Sequence, residues 1–319
     1  MTALQDRVTD LGLTGRDFLT VHDYAPAEVV ALLDLASELK AAQKAGQAHP
    51  LLAGKAVGMI FTKTSTRTRI SFEVGIAQLG AQPLYLNAND IQLRIGETMR
   101  DTGHVLSRFL DAIMIRTYAQ ADVVDLAASA TIPIINGLTD NHHPCQAMAD
   151  ALTVKEHCGG LEGRKLVYSG DGNNVAHSLA EVGAKTGMHV VICTPDDFRP
   201  DEDIIARARA DAAETGATIE LTNDLHQAVA GADVIYTDTF TSMGQESEHD
   251  VRLAALRDYQ VNDELLALAG PQVHVMHCLP AHWGEEITEA ALYGSKSVVF
   301  DQAENRLHAQ KAVMAALIG

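Results

Sequence analysis

The feature that most limits the fold is an alternation: short apolar runs rich in Val, Ile, Leu and Met are separated by longer stretches with helical spacing. That is the pattern of βα units wound around a parallel sheet, which makes the class α/β. Strand candidates in the first half are 56–61, 84–86, 112–115 and 132–135; in the second they are 165–168, 189–193, 218–221, 234–237, 273–277 and 297–300. Ten strands call for two sheets. At 319 residues the chain also exceeds the size, about 250–300 residues, at which one core usually stops growing. An opening helix is expected over 27–46. Turn chemistry at Asn136-Gly137 and Asp140-Asn141 precedes a helical pattern starting at Pro144, where a missing N–H costs nothing. The boundary belongs near this helix. The expected domains are 1–148 and 149–303, each a parallel sheet flanked by helices, with a last helix, 304–319, packing back on the first.

A formal net charge of −18 argues against nucleic acid or an anionic membrane as partner, since most of the surface would repel either. Any anion site must be a local basic pocket. Lacking an apolar run of about 18 residues and a basic, apolar leader, the sequence is expected to be a soluble cytoplasmic protein. Cys145, Cys158, Cys193 and Cys278 show no CxxC pairing and are expected to be reduced. His142, His157 and His282 have no metal-ligand spacing and read as surface or structural histidines. Neither a metal nor a cofactor is expected.

The sharpest local feature is Ser65-Thr66-Arg67-Thr68-Arg69, between a strand ending at Phe61 and a helix running to about Gly80. Free N–H groups at a helix start favour an anion, and arginine adds paired charge-assisted hydrogen bonds to phosphate oxygens. It is not a Walker A loop, because the Gly-rich run and the Gly-Lys-Ser/Thr ending are absent. Taken alone, a Ser/Thr cap with two solvated arginines explains it equally well. Arg116 after the next strand and His143-Pro144-Cys145-Gln146 after the one beyond place polar groups at three strand ends, where open α/β sheets bind ligands.

Eight motifs in order extend these observations over essentially the whole chain: STRTR at 65–69, MIRT at 114–117, HPCQ at 143–146, GDGNN at 170–174, TD at 237–238, SMG at 242–244, HCLP at 277–280 and ENR at 304–306. Together they resemble the motif set of the ornithine carbamoyltransferases. The resemblance implies that Ser65, Thr66, Arg67, Thr68 and Arg116 hold the phosphate of carbamoyl phosphate, and that Gln92 is contributed across a subunit interface in a homo-oligomer, as a trimer or a multiple of it. It further implies that Thr68, Arg116 and His143 polarise the carbamoyl oxygen, that Gln146 and the backbone at Cys278 and Leu279 take the carbamoyl NH2, and that Arg306 reaches the same ligand. Asp238 and Ser242 would hold the α-ammonium of L-ornithine, and Asn174 with the backbone of Met243 its α-carboxylate. Arg67, Arg116, His143 and Cys278 are then the expected reaction-centre residues.

The chemistry needs a neutral amine, a stabilised oxyanion and a charged leaving phosphate, without a covalent intermediate. Cys278 beside His277 has the composition of a nucleophile, yet direct attack by the amine makes that step unnecessary. A rival NAD-dependent dehydrogenase reading of 168–175, a strand-to-helix turn with Asp196 placed as a ribose acid, is disfavoured because Val175 stands where the third glycine of the dinucleotide fingerprint belongs. An aspartate-specific enzyme would want extra basic groups, and the 87–96 loop offers only Arg94. A putrescine enzyme would not need SMG with Asp238, and a non-catalytic paralogue would have lost Arg67, His143 or Cys278. Arg94-Ile95 and Trp283 depart from the family pattern without touching the reaction-centre residues.

Overall fold

The computed structural model describes residues 3–242 and 244–319. Two compact units divide the chain, one reaching to Leu152 and taking in Asn305–Gly319, the other Thr153–Glu304. The division falls inside the helices Pro144–Cys158 and Val299–Ile318.

The first unit holds a parallel sheet of β1 (Ala56–Phe61), β2 (Gln82–Asn87), β3 (Ala112–Arg116) and β4 (Ile134–Leu138), in the order β2-β1-β3-β4. Strands β1, β3 and β4 are covered on both faces, which is why they read as continuous apolar runs rather than alternating ones. Ile60, Ile113, Ile115, Val123, Leu126 and Ile134 form one core cluster. By contrast β2 is an edge strand with Leu84 and Tyr85 exposed. In the second unit β5 (Lys165–Ser169), β6 (His189–Cys193), β7 (Ile219–Thr222), β8 (Val234–Thr237) and β9 (His274–His277) form a parallel sheet ordered β7-β6-β5-β8-β9. Its core includes Val167, Val191, Ile235 and Val275.

Each sheet reverses its winding once, between β1 and β3 in the first and between β5 and β8 in the second. Such reversals open a crevice at the carboxyl ends of the strands. Register aligns those ends: Phe61 pairs with Arg116, and Ser169 with Thr237.

Three expectations need correction. Nine strands, not ten, occur among the described residues, because 297–300 contributes only an isolated bridge from Ser297 to Val275 before a 20-residue helix begins at Val299. An apolar run this short cannot distinguish a strand from the start of a buried helix. Asn136-Gly137 is not a turn but lies inside β4. There glycine permits close packing, since a Cβ at position 137 would stand 2.6 Å from Met114 Sδ. The expected opening helix spans Pro26–Lys44 and is preceded by another, Ala3–Leu11, that the pattern did not reveal.

Candidate active site

Two groups of predicted residues assemble, one in each unit. In the first, Ser65 caps the helix Thr66–Gln78, its hydroxyl accepting from Thr68 N at 3.2 Å. The first helical turn, from Thr66 through Thr68, follows the short loop that leaves β1 after Phe61. Thr68 is buried, and its Oγ1 accepts from Arg116 Nη1 at 3.3 Å and from Arg306 Nη2 at 3.1 Å. Arg306 also donates to Gln146 Oε1 at 2.7 Å, and Gln146 Nε2 donates to Asp150 at 2.8 Å. Arg116, His143, Gln146 and Arg306 are all buried, and Arg67 is half-buried.

Burial holds the His143 imidazole well below its usual range, helped by the nearby charges of Arg306, Arg116 and Arg67. A neutral imidazole beside three guanidiniums offers one N–H to an oxygen without carrying charge of its own. Its sequence neighbour Cys145 donates to Asn136 O at 3.4 Å, and burial pushes its thiol up to about 12, so HPCQ supplies one structural thiol between two polar site residues. Gln92 sits apart from this hydrogen-bonded set, exposed at the start of the short 3-10 helix Gln92–Ile95. Arg94 and Ile95 lie on the same exposed turn, which Gly96 ends with φ +100°.

The second group centres on Asp238, which follows β8. Its Oδ1 accepts from Cys278 Sγ and from Thr239 N, both at 2.8 Å, and its Oδ2 accepts from Asn173 Nδ2 at 2.8 Å. Asn173 was missed by the sequence reading. Its Oδ1 caps the helix Asn174–Thr186, accepting from Val175 N and Ala176 N, while its amide N–H orients Asp238. Asparagine immediately before a helix was a legible cap signal; its second bond depends on β5 and β8 being neighbours. Asn174, at the first helical position, is half-buried. Ser242, also half-buried, begins a turn in which its N–H donates to Gln245 Oε1 at 3.1 Å. Met243 lies outside the described residues.

A further pair, also missed, ties this loop to the β5 turn. Arg252 donates to Asp171 at 2.9 Å and to Phe240 O at 3.4 Å, and pairs with Glu248 at 3.0 Å. Burial raises Asp171 to about 6, although Arg252 works in the opposite direction.

Strand β9 delivers Cys278 and Leu279. His277 Nδ1 accepts from Leu279 N at 2.8 Å, so its Nε2 carries the proton and donates to Glu286 Oε1 at 3.1 Å. These bonds hold Leu279 at φ +58°, a strained conformation for a branched residue and one concentrated at functional sites. The Cys278 thiol donates to a carboxylate, the opposite of the cationic surroundings that make a reactive thiolate. That favours a contact role.

Of the histidines set aside earlier, His142 is buried, His157 pairs with Asp301 at 3.0 Å, and His282 is exposed. Trp283 is 55% exposed and packs edge-on against Tyr293.

Comparison with known proteins finds matches over both parts of the chain. Residues 16–156 match the family described as aspartate/ornithine carbamoyltransferase, carbamoyl-P binding domain, and 162–317 match the Asp/Orn binding domain of the same family. The ornithine carbamoyltransferase of Pyrococcus abyssi is 54% identical over 309 residues, covering 97% of this chain and 98% of that protein. A relative from Pyrococcus furiosus, described as ornithine carbamoyltransferase, anabolic, is also 54% identical over 309 residues, with the same coverage. The solved structure of ornithine carbamoyltransferase from P. furiosus superposes with a TM-score of 0.93 at 54% identity, covering 96% of this chain and 98% of that one. A structure of the anabolic enzyme from Campylobacter jejuni gives 0.88 at 33% identity, covering 94% and 97%. With both domains matched in order along nearly its whole length, the chain belongs to the aspartate/ornithine carbamoyltransferase family.

Proposed function

We infer that the chain transfers the carbamoyl group of carbamoyl phosphate to the δ-amino group of L-ornithine, giving L-citrulline and phosphate. The observation that carries the donor half is the junction at Thr68, where Arg116 and Arg306 converge on the first turn of a capped helix beside neutral His143. Helix N–H groups and guanidiniums suit a phosphate dianion, and fixed donors aimed at a developing oxyanion lower the barrier without reorganising. In this reading Ser65, Thr66, Arg67, Thr68 and Arg116 bind the phosphate. Thr68, Arg116 and His143 stabilise the carbamoyl oxygen, while Gln146, held by Arg306 and Asp150, takes the NH2 with the backbone of Cys278 and Leu279.

The acceptor must present a neutral amine, and an alkylammonium of pKa near 10.4 costs about 4.6 kcal/mol to deprotonate at pH 7. Neighbouring arginine charge lowers that cost. Asp238, fixed by three donors, is suited to an α-ammonium together with Ser242 further along the same loop, and Asn174 with the Met243 backbone is assigned to the α-carboxylate. The anabolic name of the P. furiosus relative supports use in arginine biosynthesis.

The working form in this reading is a homotrimer, or a multiple of it, in which Gln92 completes a neighbour's site. Exposed Ile70 and Val74 on the helix after β1, and Leu84 and Tyr85 on edge strand β2, supply apolar surface for such an interface. Four free thiols suit a reducing cytoplasm. No helix among the described residues is long and apolar enough to cross a membrane.

The test is citrulline or carbamoyl-product formation from carbamoyl phosphate with ornithine, putrescine, aspartate or acetylornithine as acceptor. Turnover with ornithine and little with the others is expected. Turnover only with another amine refutes the acceptor assignment, and none with any amine refutes carbamoyl transfer.

A further inference from the structure

Beyond the substrate-binding residues, the turn after β9 gathers His282, Glu285 and Glu286, each offering a ligand atom within 4.8 Å of the others. Glu286 is fully buried, and only one of its oxygens is satisfied: Oε1 accepts from His277 Nε2 at 3.1 Å and from His282 N at 2.5 Å. Oε2 is buried without a hydrogen bond, and His282 Nδ1 stands 3.8 Å from it. That is too far for a hydrogen bond, and a carboxylate oxygen buried without a donor is costly.

Two donors bound to a tetrahedral zinc ion at about 2.0–2.2 Å lie about 3.4 Å from each other; here His282 Nδ1 and Glu286 Oε2 stand 3.8 Å apart and all three ligand atoms lie within 4.8 Å, so small side-chain shifts would bring them to an ion. His282 Nδ1 meets Thr239 Oγ1 at 3.2 Å, but that hydroxyl also donates to Thr241 O at 3.0 Å. The threonine therefore keeps an acceptor when a metal takes the imidazole lone pair. Glu285 is partly exposed at the mouth, with His249 Nε2 3.8 Å from its Oε1 as a further nitrogen. Imidazole with carboxylates is a donor set for zinc and its first-row neighbours rather than for calcium.

We propose that His282, Glu285 and Glu286 form a binding site for a divalent transition metal of the zinc class, with the buried Oε2 of Glu286 as its anchor. Binding would stiffen the turn that follows Cys278 and Leu279. The site adjoins, through the bond between His277 and Glu286 Oε1, a second convergence of Asp238, His277 and Cys278, whose polar atoms are already engaged with one another and with Leu279 N and Glu286.

The experiment is calorimetric titration of the full-length protein with zinc chloride, and with cobalt(II) chloride read by its visible spectrum. The parent is compared with His282→Ala, Glu285→Gln and Cys278→Ser, each checked for an unchanged melting temperature without metal. About one equivalent is expected to bind the parent and Cys278→Ser alike, without a thiolate–cobalt band, and tenfold or more weaker in the other two variants. No binding, loss of binding in Cys278→Ser, or affinity within about threefold of the parent in either His282→Ala or Glu285→Gln overturns the proposal.

Discussion

Replacing Asn173 separates two roles that the fold has given to one side chain. Its Oδ1 caps the helix Asn174–Thr186 while its Nδ2 donates to Asp238 at 2.8 Å. Alanine removes both, whereas serine can still cap but is too short to reach Asp238. Loss of an N-cap costs about 1 kcal/mol of stability. A hydrogen bond to a charged acceptor contributes about 1.5–3 kcal/mol, and the lower end applies because Asp238 keeps Cys278 and Thr239 N as donors. At about 1.4 kcal/mol per factor of ten, the ornithine KM should rise about tenfold in Asn173→Ser and Asn173→Ala alike. Only the alanine variant should also lose about 1 kcal/mol in urea unfolding. The carbamoyl phosphate Kd, measured calorimetrically, should stay near the parent value in both. An ornithine KM within about twofold of the parent in Asn173→Ser would refute the positioning role and leave Asn173 as a cap alone.

Arg67→Ala should weaken carbamoyl phosphate binding about 10–100-fold, the range for a charge-assisted hydrogen bond; unchanged affinity by calorimetry would sink the cradle assignment. For His143 the folded state disfavours the imidazolium, so below its ordinary value of 6.5 the unfolded chain binds the proton more readily and stability is lost as pH falls toward the folded value. Its ring resonances, assigned by comparison with His143→Asn, should therefore not titrate between pH 6 and 8. A transition in that window would contradict a neutral donor at the carbamoyl oxygen.

Much of the fold was legible because burial on both faces of a parallel strand demands an unbroken apolar run, and all nine strands begin within two residues of where those runs begin; β2, more exposed as an edge strand, extends beyond its apolar run at both ends. The STRTR segment was legible because a capped helix start with arginines is chemistry written in consecutive residues. The 297–300 run was misread because four apolar-rich residues suit a strand or the buried first turn of a helix equally well. Gly137 was misread because a glycine needed for close approach to Met114 looks, one residue after asparagine, the same as a turn glycine.

What the sequence determined by itself is local: strand and helix periods, the cap at Ser65, the order of the motifs and the excess of negative charge that confines anion binding to a pocket. Tertiary structure decided the partnerships. Arg306 meets Thr68 across 238 positions of sequence, Asn173 meets Asp238 across 65, and Arg252 meets Asp171 across 81. Asn173 meets Asp238 because the winding reversal brings the ends of β5 and β8 side by side, whereas Arg306 and Arg252 arrive on the helices Val299–Ile318 and His249–Leu256. A side chain's neighbour along the chain is set by covalent bonding, but its hydrogen-bond partner is set by which strands and helices lie adjacent. For that reason the reaction could be recognised from residues in a row, while the groups that aim Asp238 and hold Gln146 became visible only in three dimensions.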